Sequence, residues 1–471
     1  MNYHTYYAKA DRPVETCVVG TGGFGQSFLG QAQRVPLMNA RIAVDLTSEA
    51  AASGLRAAGV DPRRIQICES AREAKAAWDR GNFIAAGDLA LVADLPFDVL
   101  VEATGQPRAA ARHALLAIDA DKHLALVTKE LDSVVGPGLK ALAADRGRIA
   151  TTVDGDQPSL LIGLATWAEI LGFHLIAAGK SSEYDFVFDP VSGRLTSNER
   201  FADNVDLAGH WDLGTRNVSE LLAARHAAIA GFPQRAVPDL CELMVVANAT
   251  GLQPDRFDLH APLARIGEVP TIFSHRDDGG LLAGERRLDV FHCLRKPDEI
   301  SFAGGVFVVV RCEDSKSWDM LAQKGHTVSR TGATAMVFLP RHLLGLEAAT
   351  SILDAAIHQA SGYGSDYQPR YDLIAVATED LAAGTVLSMG GHHHTISGVT
   401  AEFRPAGPLT ATAPAPFYLA ADGQLAAPVA KGQEIRMCDL ELQDGSPLMR
   451  LRGDQDTRFF GSATRAASLG A

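Results

Sequence analysis

No stretch of this chain stays apolar for the roughly 20 residues that a bilayer-spanning helix needs, and no two of its six cysteines stand in a C-x-x-C pair. The first absence predicts a soluble protein with no membrane partner. The second argues against a zinc ribbon or a dithiol redox motif, and the wide spacing of Cys17, Cys68, Cys241, Cys293, Cys312 and Cys438 gives no disulfide framework. They read as reduced thiols, mostly in cores. Basic residues are also short: 43 Lys and Arg face 56 Asp and Glu, a formal net charge of −13, and the cations are scattered. A nucleic-acid partner would leave a basic stripe, and none is there. The opening residues MNYHTYYAKADRP carry no basic segment followed by an apolar core, so the expected location is the cytoplasm. What remains is an ordinary globular composition, 47% hydrophobic and 21% charged, over 471 residues, enough for two or three domains. The expected partners are a small-molecule substrate and, by base rate, further copies of the chain.

The first 150 residues read as a nucleotide-binding unit. An apolar strand at 16–19 runs straight into Gly20-Thr21-Gly22-Gly23-Phe24-Gly25 and then into the helical run QSFLGQAQRV. In such a G-x-G-x-x-G loop the first glycine makes the turn, the second lets backbone N–H groups approach a pyrophosphate, and the third lets helix and strand pack closely. A second buried strand, ARIAVDL, ends in Asp45, twenty residues after Gly25, where a carboxylate accepts ribose hydroxyls. An acid there repels a 2′-phosphate, which favours NAD; Arg41 or Arg56 could still reach one, so NADP stays open. FDVLVEATGQP (97–107) and HLALVTKELD (123–132) read as further parallel strands. Their C-terminal ends would place Thr104 and Gly105 against the cofactor and Lys129 near the nicotinamide. The plainer reading of Lys129 is a solvated loop charge.

The segment DGDQPSLLIGLATWAEILGFHLIAAGK (154–180) reads as a helix from Pro158 to a stop at Gly172, then a strand, FHLIAAG. About fifteen helical residues span roughly 22 Å, and seven strand residues at about 3.3 Å each retrace that length. If the chain reverses at Gly172, Lys180 returns beside Asp154 and Asp156, with Ser181 and Ser182 next to it. Such carboxylates could orient hydroxyls or bind a divalent ion, and the lysine could move a proton. No feature of the sequence calls for a metal. The plainer reading has Asp156 cap the helix and Lys180 neutralise it.

The strings DVLVEATG and VTKELDSVVGPGLKALAADRG resemble the nucleotide domain of homoserine dehydrogenases. DGDQP, AAGK, VVANATGLQPDRFDLHAP, GGVFVVVR, PRHLLGLE and VAKGQEIRMCDLEL, in that order, extend the resemblance over the chain. The family is that of homoserine-dehydrogenase-like oxidoreductases with a C-terminal SAF domain, some of which are similar in activity to 1-deoxy-D-xylulose 5-phosphate reductoisomerase. The resemblance implies a substrate site of Lys180, Asp154, Gln157, Glu242 and Arg341. The chain departs from the family at AVPDLCEL (236–243), where Pro238 stands and the family's lysine is missing, and at LPRHLLG, which lacks an aromatic-rich segment. Hydride transfer is therefore better supported than isomerisation.

The expected fold class is α/β. A Rossmann doubly wound parallel sheet (1–150) would precede a central α+β catalytic and oligomerisation domain (151–365) and a β-rich SAF-like, or β-clip, domain (366–471). The expected function is an NAD(P)-dependent oxidoreductase of a small polyhydroxylated or phosphorylated carbonyl or alcohol, with Lys180 and Lys129 as the leading acid/base candidates. The alternatives are a homoserine- or hydroxy-acid-type dehydrogenase and a catalytically silent nucleotide sensor. The run His392-His393-His394 in GGHHHTISG reads as a solvated loop tip, because consecutive strand side chains alternate faces and cannot meet one metal ion.

Overall fold

The computed structural model describes residues 1–234, 236–391, 394–442 and 445–461, so His392 and His393 lie outside the described residues. A short helix α1 (Tyr3–Tyr6) precedes β1 (Val14–Val19), and strands and helices then alternate: α2 (Gly23–Ala32), β2 (Met38–Val44), α3 (Ser48–Ala57), β3 (Ile65–Cys68), α4 (Ala71–Asp79), β4 (Phe83–Ala86), β5 (Val99–Glu102), α5 (Pro107–Asp119), β6 (His123–Leu126), α6 (Lys129–Asp145) and β7 (Ala150–Thr152). The seven strands make one parallel sheet in the order β3-β4-β2-β1-β5-β6-β7. Helices cover both faces of such a sheet, which is why β4, β5 and β6 are buried residue after residue and, Glu102 and His123 apart, apolar. The helices start where the sequence supplies caps: Thr47 accepts from Ala50 N and Ser70 from Glu73 N. Strand order reverses between β1 and β5, the place where ligands bind in doubly wound sheets.

One boundary differs from the sequence reading. HLALVTKELD does not stay extended to Glu130; β6 stops at Leu126 and Lys129 opens α6. Thr128 is drawn across to the end of β5, donating its N–H to Glu102 O and accepting from Gly105 N on Oγ1. Glu130 and Asp132 then suit the positive end of the new helix.

The chain divides into two compact units, one of residues 1–159, 343–401 and 405–471, the other of residues 160–342 and 402–404. The second unit takes up α7 (Gln157–Ile170), β8 (Leu175–Ser181), β9 (Phe186–Asp189), β10 (Arg194–Ser197), β11 (Arg200–Ala202), α8 (Val218–Ala228), α9 (Val237–Thr250), β12 (Gln253–Pro254), β13 (Leu263–Ala264), α10 (Val269–Ile272), β14 (Arg287–Arg295), β15 (Val306–Arg311), α11 (Ser315–Gln323) and β16 (Thr334–Leu339). Its mixed sheet runs β11-β10-β9-β14-β8-β15-β16, with β12 and β13 also on β14. β8 lies parallel to β14 and antiparallel to β15, and all seven of its residues are buried. Phe273, Phe291, Phe302 and Phe307 fill the core against one face.

The last part of the chain returns to the first unit. It forms α12 (Ala349–Leu353), β17 (Tyr371–Ala377), β18 (Met389–Gly390), β19 (Thr395–Ile396), β20 (Val399–Pro405), α13 (Phe417–Ala420), β21 (Gln424–Leu425), β22 (Leu440–Glu441) and α14 (Pro447–Phe460). The strands make a β17-β20-β19-β18 sheet and a β21-β22 pair. Ala348, Ile352 and Leu353 pack into the same core as Val18, Phe28 and Leu29. Arg452 of α14, fully buried, pairs with Asp372 of β17 and Asp456 and donates to the carbonyl of Gly407. Among the described residues no helix is long and apolar enough to cross a membrane.

Candidate functional site

The glycine loop sits at the reversal between β1 and β5. Gly20 has φ +92°, and a Cβ there would lie 2.6 Å from Ala103 O at the end of β5. A Cβ on Gly25 would lie 1.9 Å from Gly20 O, so α2 enters against the strand only because position 25 is bare. Gly22 is different: its φ is ordinary and a Cβ would meet nothing within 4 Å. It caps α2 without a side-chain bond and no acid occupies the first turn, which leaves the first N–H groups of a ten-residue helix facing outward. Thr21 donates from N (2.8 Å) and from Oγ1 to Asp45 Oδ2, and Leu46 N donates to Oδ1 at 2.7 Å. These bonds hold the Asp45 carboxylate at the mouth of the loop. Half-buried Phe24 anchors the first turn in the core. Arg41, one of the two cations considered for a 2′-phosphate, is engaged by Glu15 at 3.1 Å and stacks 3.9 Å over Trp78; Arg56 pairs with Glu49.

Next to the loop, the end of β5 carries a buried carboxylate. Glu102 Oε1 accepts from Thr104 Oγ1 at 2.7 Å and lies 3.1 Å from His113 Nδ1, while Oε2 has no hydrogen-bond partner among the described residues. Thr104 is thereby oriented, and Gly105 (φ +66°) is pinned to Thr128. One strand further, half-buried Lys129 lies 3.7 Å from Asp156, which also accepts from Gln157 N at 3.0 Å. Asp132 is buried and accepts from Tyr363 (2.5 Å) and Tyr367 (2.6 Å). Burial pushes its carboxyl up to about 6, with Asp156 adding to the rise and the two tyrosines opposing it. Asp154 accepts from Ser159 at 2.6 Å and from Thr350, tying the 154–159 turn to α12.

In the second unit the chemistry gathers on β8 and α9. Lys180 is 1% exposed, with Nζ 2.7 Å from Asp239 Oδ1 and a shorter contact to Glu242 Oε2. Ser182 donates to the other Asp239 oxygen at 2.7 Å. Burial alone would lower the ammonium, but the two carboxylates outweigh it and hold it well above the ordinary lysine range. His292 on β14 is buried nearby, and that burial lowers its basicity. Ser181, on the same strand, is fully buried and its hydroxyl has no partner among the described residues.

The structure thus places Gly20, Thr21, Gly22, Phe24, Gly25, Asp45, Thr104, Gly105, Lys129, Asp154, Asp156 and Gln157 in the first unit. Lys180, Ser181, Glu242 and exposed Arg341 fall in the second. The fold-back lengths hold, with α7 and β8 close to their expected ranges. Lys180's carboxylates within its own unit, however, come from α9, and one of them, Asp239, escaped the sequence reading. Its signal was the three-residue spacing to Glu242, which puts both acids on one helix face. His394 escaped too. Half-buried rather than solvated, it stands with Nδ1 2.7 Å from Glu130 Oε1. Among the described residues no group of three His, Cys, Asp or Glu is placed to hold a metal ion.

Residues 237–348, from the first residue of α9 to the residue before α12, match the family model described as oxidoreductase DRL, catalytic domain. The matched stretch contains Asp239, Glu242 and Arg341. No curated protein matches the chain. Among solved structures, the chain is similar to GenD2 from gentamicin A biosynthesis in complex with NAD, at 19% identity over 37% of this chain and 45% of that one, with a TM-score of 0.25. It is similar to 1-deoxy-D-xylulose 5-phosphate reductoisomerase from Zymomonas mobilis in complex with NADPH, at 19% identity over 36% and 46%, with a TM-score of 0.27. A third is levoglucosan dehydrogenase in complex with NADH and L-sorbose, at 15% identity over 38% and 44%, with a TM-score of 0.25. The chain spans less than half the length of each of these three.

Proposed function

We propose that the protein is an NAD-dependent oxidoreductase whose dinucleotide lies along the C-terminal ends of β1, β2 and β5. The observation that carries this reading is the bare helix start at Gly22 between two glycines that sterically must be glycines, with Asp45 held at its mouth. Those residues fit a dinucleotide: Gly22 and the first N–H groups of α2 would take the pyrophosphate, Asp45 the adenine-side ribose, and Thr104 and Gly105 the nicotinamide side. The cofactor supplies the hydride donor or acceptor; the chain supplies binding, orientation and a proton. Lys129, half-buried and within reach of Asp156, is the residue we assign to the proton. Because Arg41 and Arg56 are already paired, the site favours NAD over NADP.

The substrate we propose is a small polyhydroxylated or phosphorylated carbonyl or alcohol. The family match at 237–348 supports an oxidoreductase and leaves this substrate a proposal. Reductoisomerase-like chemistry and a simple homoserine- or hydroxy-acid-type dehydrogenase are the two versions. A cytoplasmic homo-oligomer with a SAF-like C-terminal module completes the reading. The deciding experiment is titration with NADH and NADPH followed by a panel of polyols, sugar phosphates and hydroxy acids read at the nicotinamide absorbance. NADH should bind at least tenfold more tightly than NADPH, and one substrate class should turn over, with turnover lost in Lys129→Ala. Absence of dinucleotide binding would reject the proposal. Tight binding without turnover would leave the nucleotide sensor, which the locked Lys180 ion pairs also accommodate.

A further inference from the structure

His394 sits at the turn between β18 and β19, in a backbone conformation (φ +46°) that a residue with a side chain rarely adopts. Such an outlier persists only where its surroundings fix it. Two contacts do so here. The imidazole donates from Nδ1 to Glu130 Oε1 at 2.7 Å, because an ionised carboxylate can only accept, and Glu130 is 4% exposed in the first turn of α6. The ring also lies on Gly105, so closely that a Cβ at 105 would come 2.1 Å from Cε1 and 2.9 Å from Nε2. Gly105 therefore has two reasons to be glycine, its positive φ and the ring seated on it. The β18–β19 turn, 264 residues beyond Glu130, thus places a histidine between the ends of β5 and β6. Ala103, two residues before Gly105, is the residue on which Gly20 packs. His394 and the glycine loop flank the same strand end.

With Nδ1 committed to Glu130, Nε2 is the ring nitrogen that remains beside Gly105. We propose that His394 is a dinucleotide-binding residue contributed by the C-terminal strands, its Nε2 sharing a hydrogen bond with a hydroxyl of the nicotinamide-side ribose. This rests on the dinucleotide reading above and deepens it. Glu130 is the positioning residue that fixes the ring plane.

The test uses the full chain as wild type, His394→Ala, His394→Asn and Glu130→Gln, titrated with NADH and separately with ADP, which carries only the adenine half. Loss of one hydrogen bond should weaken NADH binding roughly tenfold in His394→Ala. ADP binding should stay at its wild-type value, the ligand-free melting temperature should fall modestly because buried Glu130 loses the imidazole, and Glu130→Gln should show a smaller loss for NADH alone. His394→Asn, which retains a side-chain acceptor, should recover part of the NADH affinity. Wild-type NADH affinity in His394→Ala would overturn the assignment. Tighter binding would do so as well, by making His394 a plug that the cofactor must displace, and so would equal losses for NADH and ADP. A wild-type chain that binds ADP but no dinucleotide, or neither, would instead bring down the cofactor reading beneath it.

Discussion

At the scale of single residues, the energetically exposed points are buried charges. Lys180 is buried in the second unit's core with its ammonium against both Asp239 and Glu242, and Ser182 donates to Asp239. Removing the lysine alone takes a buried cation away from two buried carboxylates. Lys180→Met should cost about 3–5 kcal/mol in urea denaturation, and adding Asp239→Asn and Glu242→Gln should recover most of it. If the triple variant is no more stable than the single one, the pairing is not what holds the site. Asp132 makes a pH prediction. Its carboxyl is raised to about 6 in the folded protein, so between the ordinary carboxylate range and that value the unfolded chain gives up a proton that the folded chain keeps. Stability is fully supported below about pH 4, falls as pH rises to 6, and stays reduced above it, by roughly 3 kcal/mol for a displacement of that size. Asp132→Asn should shrink the difference in melting temperature between pH 4 and pH 8. An unchanged pH profile would show that Asp132 titrates normally.

At the scale of elements, what could be read in advance was what is local. Strand, glycine loop and helix occupy consecutive residues, so G-x-G-x-x-G and the alternation of buried strands with capped helices were legible, and with them the α/β class. The glycines also differ in kind, which the motif alone does not reveal. Gly25→Ala should disrupt the β1–α2 contact and lower the melting temperature as well as NADH affinity, because its Cβ would meet Gly20 O at 1.9 Å. Gly22→Ala, with open space around it, should melt like wild type and lose only affinity for NADH. Equal melting losses in both would refute the distinction. What could not be read was any partnership set by tertiary folding. Lys180 meets Asp239 and Glu242 across 59 and 62 residues, and no periodicity within β8 points to α9. The strand HLALVTKELD was overextended because its end is set by Thr128 crossing to β5, a contact between strands rather than a propensity. The imidazole of His394 was left to solvent because its acid lies on a helix in the opposite half of the chain.

At the scale of the whole molecule, the first unit is sewn from both ends of the chain, and Arg452 is the stitch. Its guanidinium is fully buried and takes Asp372 at 2.6 and 2.8 Å and Asp456 at 2.8 Å. Its neighbour Gln455 accepts from Gly138 N on α6 at 2.9 Å, where a Cβ at 138 would come 2.8 Å from the glutamine's own Cβ. Arg458 reaches Asp145 at the far end of α6. So the parallel sheet's helix layer and the C-terminal strands share one set of buried bonds, and the unit should open as one. Arg452→Met removes the only cation recorded against Asp372 and Asp456 among the described residues and should cost about 3–5 kcal/mol, the scale of breaking a buried ion pair. Hydrogen exchange separates the two ways this could happen. A unit that is truly joined loses protection in α6 and α14 together, while β8 and β15 in the second unit keep theirs. If α14 and β17 exchange freely while α6 stays protected, the C-terminal strands are an appendage rather than part of the nucleotide-binding unit, and the stitch is local.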